Sequence, residues 1–186
     1  MREAAANEVF PETLTLVRLE VLAQRQVRHL TSHDPEVVKG GQVRRFGPHE
    51  LPDRVGLVRV GQPRILCLGP AEWLLVQGDP GEAQSPSAPA ADSLDDSWVL
   101  TDLSAGFSVL ELSGPAVKRV LNQGCSLDLD AKVFPANHCA RTRFAQIPVV
   151  IDFIQPPDRF ELYVARSLTA YLCEWLKGAL GVTRDA

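Results

Sequence analysis

The 186-residue sequence is poor in features that define whole classes of protein. Its four cysteines are too few for a disulfide scaffold and include no Cys-x-x-Cys pair. We therefore predict reduced, buried thiols. It has no uninterrupted apolar run of about 18 residues that could cross a membrane. Its first ten residues carry acids where a signal peptide would need an apolar stretch. We therefore expect a soluble, cytoplasmic protein.

Excess positive charge and phosphate-binding motifs are also lacking. Lysine and arginine number 19 against 23 acidic residues, a net charge of −4, so no polybasic surface for nucleic acid is implied. The absence of Gly-x-Gly-x-x-Gly, Walker-type and Gly-x-Ser-x-Gly strings argues against dinucleotide binding by this chain and against a serine hydrolase. A hydrophobic content of 45% with 23% charged residues nonetheless predicts a folded, globular chain.

One segment differs in composition from the rest and predicts the domain organisation. Residues 78–97 contain five acidic residues, three prolines and four serines, with Leu94 as the only large apolar side chain. Such a segment cannot bury enough surface to offset its ordering entropy, which predicts a flexible acidic loop. An acidic arm that orders on a partner is the alternative. The loop would separate an N-terminal β-rich subdomain, residues 1–77, from a C-terminal α+β subdomain, residues 98–186.

Alternating apolar positions predict strands before the loop. The sequence over 13–22 has the period of a half-buried strand, and three short apolar runs over 55–61, 64–69 and 72–77 predict a β-meander. Polar residues, with proline and glycine, interrupt any regular pattern between the first strand and residue 55. That part of the chain is predicted to be rich in loops.

After the loop, the predicted order of elements is β-α-β-β-β-α. The first strand covers 97–114 with a bend in its middle, and the later strands cover 139–154 as two runs and 159–165. Ser113 and Ser167 are predicted to cap the two helices. This order predicts an α+β fold in which antiparallel sheets carry helices on one face, related to split β-α-β units.

Arginines on one predicted strand are the candidate binding residues. Arg141 and Arg143 are two positions apart and therefore point to the same side as Cys139. Two guanidinium groups on one face could clamp a carboxylate or an acidic partner surface. Arg166, directly before the last helix, could join them if the sheet order brings its strand close. A solvated strand face with ordinary salt bridges is the alternative interpretation.

No residue is predicted to be catalytic, to bind a cofactor or to bind a metal. His29 and His33 would share one face of a helix, as a metal pair could, but the Asp34-Pro35 step argues against a helix there. Possible acid–base carboxylates lie beside turns and are interpreted as structural, at Asp102, Asp128 and Asp130.

A thiol or metal site is a further alternative that rests only on proximity in the sequence. Cys125 precedes Cys139 by fourteen positions, and His138 stands beside Cys139. The three tryptophans lie in apolar patterns and are predicted to be core or interface anchors, at Trp73, Trp98 and Trp175.

Six strings, spread in order over most of residues 64 to 180, carry a family resemblance. They are LGPAEWLLV (68–76), TDLSAGFSVLELSGP (101–115), LNQGCSLDL (121–129), FP (134–135), CARTRFAQ (139–146) and FELYVARSLTAYLCEWL (160–176). Together they resemble the gamma subunit of heterotetrameric sarcosine oxidase. The resemblance implies a fold like the folate-binding aminomethyltransferase domain of the glycine cleavage system.

The resemblance also implies a function within a complex. The family's complex of alpha, beta, gamma and delta subunits demethylates sarcosine oxidatively to glycine, with hydrogen peroxide and methylene-tetrahydrofolate as further products. It implies that FAD, FMN and NAD are bound by the alpha and beta subunits and zinc by delta, and that this chain binds none of them. The expectation is therefore a non-catalytic structural or assembly subunit. A stand-alone folate-binding protein or one-carbon transferase is the alternative.

Overall fold

A computed structural model describes residues 17–22, 25–34, 36–37, 44–78, 96–155 and 158–182. Its strands are β1 Arg18–Leu22, β2 Gln26–Ser32, β3 Arg44–Phe46, β4 His49–Leu51, β5 Val58–Arg59, β6 Arg64–Gly69, β7 Glu72–Gln77, β8 Trp98–Asp102, β9 Phe107–Ser113, β10 His138–Phe144, β11 Ile147–Gln155 and β12 Arg159–Ala165. Two helices have their bounds within these ranges, α1 Val117–Gly124 and α2 Thr169–Val182, the second preceded by a 3₁₀ turn, Arg166–Leu168, and Glu36 and Val37 are also helical. No helix within these ranges is both long and apolar enough to cross a membrane.

The chain divides into two compact units. Unit 1 comprises the described residues of Met1–Ala23, Gly106–Ala136 and Ala140–Ala186, and unit 2 those of Gln24–Ala105 and Asn137–Cys139. These units do not coincide with the predicted division at residues 77 and 98, because β1 pairs with β9 and β8 pairs with β2. The predicted loop over 78–97 lies outside the described residues, except for Gly78, Asp96 and Ser97.

Unit 1 is a five-stranded sheet with both helices on one face. The sheet order is β1-β9-β12-β11-β10, and β9 pairs antiparallel with β1 and with β12. Alternate residues of the central strands form one hydrophobic core with the buried sides of α1 and α2, which confirms the predicted layer architecture. The core includes Leu110, Leu112, Val117, Val120, Leu121, Ile151, Phe160, Leu162, Val164, Leu172, Leu176 and Leu180.

Unit 2 is a second five-stranded sheet with a small hairpin. The sheet order is β5-β6-β7-β2-β8, and β3 pairs with β4 separately. The predicted meander is confirmed as β5, β6 and β7. Trp73 is fully buried in the core of this unit, where Phe46 of β3 and Leu51 of β4 also lie, and the Trp73 Nε1–H donates to the Pro52 carbonyl oxygen at 2.9 Å.

Four predictions about local structure were wrong. The predicted loop-rich region contains β2, which lies between β7 and β8. The predicted bent strand over 97–114 is two strands in different sheets, β8 and β9. Ser113 ends β9 and does not cap α1, because a turn with Gly114 at φ +124° intervenes and the N-cap position is Ala116, which makes no side-chain cap bond. Ser167 does not cap α2 either, because it lies within the 3₁₀ turn Arg166–Leu168 and Leu168 stands between it and Thr169, where α2 begins.

Candidate functional site

The three predicted arginines all lie in unit 1 and are all exposed. Arg141 and Arg143 are on β10, which is an edge strand of the unit 1 sheet. The Arg143 Nη2 donates to the Gln146 carbonyl oxygen at 2.7 Å. Arg166 follows β12, and its Nη2 donates to the Phe107 carbonyl oxygen at 3.1 Å. Each of these two side chains is thus fixed by a backbone carbonyl.

The sheet order places Arg143 and Arg166 at the same end of the sheet. Val149 of β11 pairs with Val164 of β12, so the end of β12 lies beside the start of β11 and the turn that joins it to β10. One strand, β11, separates β10 from β12. Arg141 lies two residues farther along β10. We call these three residues the basic end of unit 1.

The turn between β10 and β11 has an unusual backbone. Ala145 and Gln146 have φ values of 49° and 71°, a conformation for which two-residue hairpin turns favour asparagine and glycine. The Ala145 N–H donates to the Gly124 carbonyl oxygen at 2.8 Å, and the Tyr171 hydroxyl donates to the Ala145 carbonyl oxygen at 2.9 Å. Residues from both helices therefore hold this turn, which was not predicted from the sequence.

A row of four carboxylates crosses the same sheet and was also not predicted. Glu20 of β1 pairs with Glu111 of β9, Glu111 with Glu161 of β12, and Glu161 with Asp152 of β11. Asp152 and Glu161 are 0% and 4% exposed. The signal in the sequence is a single acid flanked by apolar residues in each strand, but only the pairing register brings the four together.

The carboxylates of this row are engaged within the protein. Asp152, the most buried of the four, has a hydrogen-bonding or electrostatic partner within the protein. Each glutamate accepts from a donor of a neighbouring residue: Arg18 Nη2 to Glu20 Oε2 at 2.8 Å, Arg159 Nη2 to Glu111 Oε2 at 2.7 Å, and Tyr163 hydroxyl to Glu161 Oε2 at 2.6 Å. Hydrogen bonds of this kind offset the cost of burying charge. We interpret the row as internal pairing of the sheet.

Asp102 and Ser104 form a clamp where the chain leaves β8. The Asp102 Oδ1 accepts from the Ser104 N–H at 2.8 Å and from the Ser104 hydroxyl at 2.6 Å. These bonds, with the charge of Arg28 on the paired strand adding to them, lower the pKa of the Asp102 carboxyl. Ser104 Oγ also accepts from the Val27 N–H at 3.0 Å. Asp102 is therefore held as a carboxylate in a structural turn.

The other two candidate aspartates also stabilise turns. The Asp128 Oδ1 accepts from the Asp130 N–H at 2.9 Å, and the Asp130 Oδ1 accepts from the Lys132 N–H at 2.8 Å. Both are exposed, and both form the local side-chain-to-backbone bond that is typical of aspartate in turns. Their interpretation as structural residues agrees with this geometry.

The candidate metal ligands are not brought together as a site in the part of the chain that the structure describes. No three histidine, cysteine, aspartate or glutamate side chains there are grouped as metal ligands would be. His29 lies on a strand, with its Nε2 2.8 Å from Glu72 Oε1, and His33 is exposed beyond the strand's end. Cys125 belongs to unit 1 and Cys139 to unit 2, and both are buried free thiols.

One buried histidine was missed in the sequence. His49 of β4 is 6% exposed, and its Nε2 has no hydrogen-bond partner among the described residues. Burial, with a smaller effect from the positive charge of Arg59, lowers the pKa of His49. The imidazole is therefore neutral at pH 7, which suits its position on the hairpin of unit 2.

Comparison of sequences assigns most of the chain to one family. Residues 33–181 match the family described as "Sarcosine oxidase, gamma subunit family". The chain is 34% identical over 132 residues to the sarcosine oxidase subunit gamma of Corynebacterium sp. (strain P-1), and 39% identical over 103 residues to that of Arthrobacter sp.. These matches cover 70% and 54% of this chain but 64% and 50% of the relatives, so the chain spans less than two thirds of their length.

Comparison of structures extends the likeness to the fold. A chain of the heterotetrameric sarcosine oxidase from Corynebacterium sp. U-96, in complex with pyrrole 2-carboxylate, is similar with a TM-score of 0.73 and 26% identity, over 91% of this chain and 86% of that one. The glycine cleavage system aminomethyltransferase T from Bartonella henselae is similar with a TM-score of 0.60 and 18% identity, over 89% of this chain and 46% of that one. The second likeness concerns the fold alone and confirms the predicted aminomethyltransferase-like architecture.

Proposed function

This chain belongs to the sarcosine oxidase gamma subunit family, and we propose on that basis that it is a structural subunit of a heterotetrameric sarcosine oxidase. The complex would oxidise sarcosine to glycine and produce hydrogen peroxide and, with tetrahydrofolate, methylene-tetrahydrofolate. The observation that carries the proposal is the likeness in fold, over nearly the full length of both chains, to a chain of the heterotetrameric enzyme.

The polar residues support a structural role within the complex. The most obvious candidates for acid–base chemistry each have an assigned partner that stabilises the fold: Asp102 with Ser104, His29 with Glu72, and Glu161 with Tyr163. A catalytic group has to reach substrate, whereas Glu161 and Tyr163 are buried within the unit 1 sheet. We therefore assign this chain no catalytic centre of its own.

The proposal assigns the cofactors to the other subunits. FAD, FMN and NAD would be held by the alpha and beta subunits and zinc by delta, so the chemistry of sarcosine oxidation would take place there. This chain would contact its partners in part through the basic end of unit 1, formed by Arg141, Arg143 and Arg166. All three side chains are exposed, and two are fixed by backbone carbonyls, which lowers the entropy they lose on binding.

The alternative of a stand-alone folate-binding protein or one-carbon transferase rests on the aminomethyltransferase-like fold. That likeness is at 18% identity and covers less than half of the transferase. A fold shared at this level does not assign an activity. Titration calorimetry with tetrahydrofolate separates the two proposals, because micromolar binding by the chain alone would favour the alternative.

Co-purification tests subunit membership directly. The affinity-tagged chain is produced together with candidate alpha, beta and delta chains, and the eluate is analysed by native mass spectrometry and visible absorption. We expect all four chains to elute in one complex with the spectrum of bound flavin, and an unrelated protein with the same tag to retain none of them. Elution of the tagged chain free of the flavin-bearing chains would contradict the proposal.

A further inference from the structure

The turn between β10 and β11 adopts a backbone conformation that its two residues do not favour. Left-handed conformations are unfavourable for side chains with a Cβ atom, and here two such residues, Ala145 and Gln146, adopt them in succession. Strained backbone of this kind persists where the surrounding structure enforces it, and it is concentrated at functional positions. Gln146 presents an exposed side chain from this conformation.

The surroundings of the turn make it rigid. Gly124 at the end of α1 accepts from the Ala145 N–H, and the Tyr171 hydroxyl of α2 donates to the Ala145 carbonyl oxygen. Arg143 donates to the Gln146 carbonyl oxygen from the side of β10. Three bonds from three elements therefore hold a two-residue turn. Rigid loops lose little entropy when they bind, which favours this turn as a contact element.

The chemistry presented at the turn is cationic and aromatic. Arg143 pairs with no carboxylate among the described residues, and its bond to Gln146 leaves most of its five N–H donors available. The Tyr171 side chain is 47% exposed, although its hydroxyl is engaged. Arginine and tyrosine are enriched among the residues that dominate binding energy at interfaces. A fixed guanidinium group is complementary to a carboxylate, which it can bind in bidentate geometry.

We propose that Arg143, Gln146 and Tyr171 form a preorganised contact that docks a carboxylate-bearing surface of a partner subunit. Arg143 pairs with the partner's carboxylate, the Gln146 amide hydrogen-bonds beside it, and the Tyr171 ring packs against the same surface. The proposal rests on the proposed function, because the partner is another chain of the sarcosine oxidase complex. It deepens that function by assigning the contact and the charge of the surface that it recognises.

Two substitutions separate contact from fold stability. Gln146→Gly removes the side chain and relieves the left-handed backbone, so we expect the thermal midpoint of the chain to rise by about 2–4 °C while the complex weakens at least fivefold. Arg143→Gln should weaken the complex about tenfold or more, with reduced dependence on salt concentration. Arg143→Lys should give an intermediate loss, because lysine keeps the charge without the bidentate geometry.

The measurement uses the purified four-chain complex containing each full-length variant. The complex is diluted at low and high salt, and native mass spectrometry gives the concentration at which half of this chain has dissociated. Arg119→Gln, which alters an exposed arginine of α1, serves as the control and should stay within twofold of the wild type. Circular dichroism of each variant chain establishes that it is folded.

The outcomes distinguish this inference from the function on which it rests. A more stable Gln146→Gly variant that binds less tightly supports the docking role, since a merely structural turn would not weaken assembly when it is stabilised. Dissociation of Arg143→Gln or Gln146→Gly within twofold of the wild type overturns the inference but leaves subunit membership intact. Failure of the wild-type chain to enter the complex contradicts the proposed function itself.

Discussion

Replacement of Gly124 by alanine is expected to destabilise the chain, whereas the same replacement at Gly178 should stabilise it. A Cβ atom at Gly124 would lie 2.8 Å from both Phe144 Cζ and Trp175 Cη2, closer than real side chains approach. Phe144 is fully buried and meets Trp175 edge to face at a centroid distance of 4.9 Å, so neither ring moves freely. Overpacking of this kind costs about 1–3 kcal/mol.

Gly178 is the matched control because it lies in α2 and is exposed. A Cβ atom there meets nothing within 4 Å, so alanine should add about 0.5–1 kcal/mol of helix stability. Urea denaturation followed by circular dichroism measures both effects. In a Trp175→Leu background, which removes one of the two rings, Gly124→Ala should cost less. Unchanged or increased stability of Gly124→Ala in the wild-type background would contradict this account of the α1 terminus.

Trp73→Ala should cause the larger loss, about 3–5 kcal/mol, because it empties the centre of the unit 2 core. Trp73 is fully buried, its ring lies 5.9 Å from that of Trp98, and its Nε1–H bonds the Pro52 carbonyl oxygen. The truncation leaves a cavity and also removes the donor for that carbonyl. The loss is a large fraction of the total stability of a typical domain, which is about 5–15 kcal/mol.

Trp73→Phe keeps most of the apolar volume and removes the hydrogen bond, so it should cost less than Trp73→Ala. Val99→Ala on the edge strand β8 is the control, because Val99 is 44% exposed and should change stability by no more than about 0.5 kcal/mol. The free energies of unfolding come from urea titration of the full chain. A loss of less than about 1 kcal/mol in the free energy of unfolding for Trp73→Ala would contradict the assignment of Trp73 as a central residue of the unit 2 core.

The elements that the sequence predicted well are those with a clear apolar pattern. β6, β7, β11 and β12 each bury most of their residues, and the predicted last helix buries Leu172, Leu176 and Leu180 in the core. The pattern of apolar residues within each of these elements was therefore sufficient to predict it, without knowledge of its partners in the fold.

Elements whose identity depends on distant partners were missed. The buried residues Val27 and Leu30 of β2 are three positions apart, which breaks the alternation of a half-buried strand, and the strand is recognisable only from its pairing with β7 and β8. The bend predicted within 97–114 is a change of sheet because β8 pairs with β2, whereas β9 pairs with β12. Neither contact is visible in the local pattern.

The residues of the candidate site also divide into those that the local pattern predicts and those that depend on strand pairing. The shared side of Arg141 and Arg143 follows from strand alternation, but whether Arg166 lies at the same end depends on the sheet order. The carboxylate row through Glu111 and Glu161 depends on register alone. The turn at Ala145 and Gln146 escaped prediction because its residues are not those that favour left-handed backbone.

Sarcosine turnover with and without the partner chains tests whether this chain has a catalytic activity of its own. Hydrogen peroxide and methylene-tetrahydrofolate production are both measured for the purified chain alone, with sarcosine and tetrahydrofolate added, and for the complex of the chain with alpha, beta and delta subunits. We expect turnover by the complex and none by the chain alone. Sarcosine oxidation or folate-dependent one-carbon transfer by the chain alone would contradict this expectation.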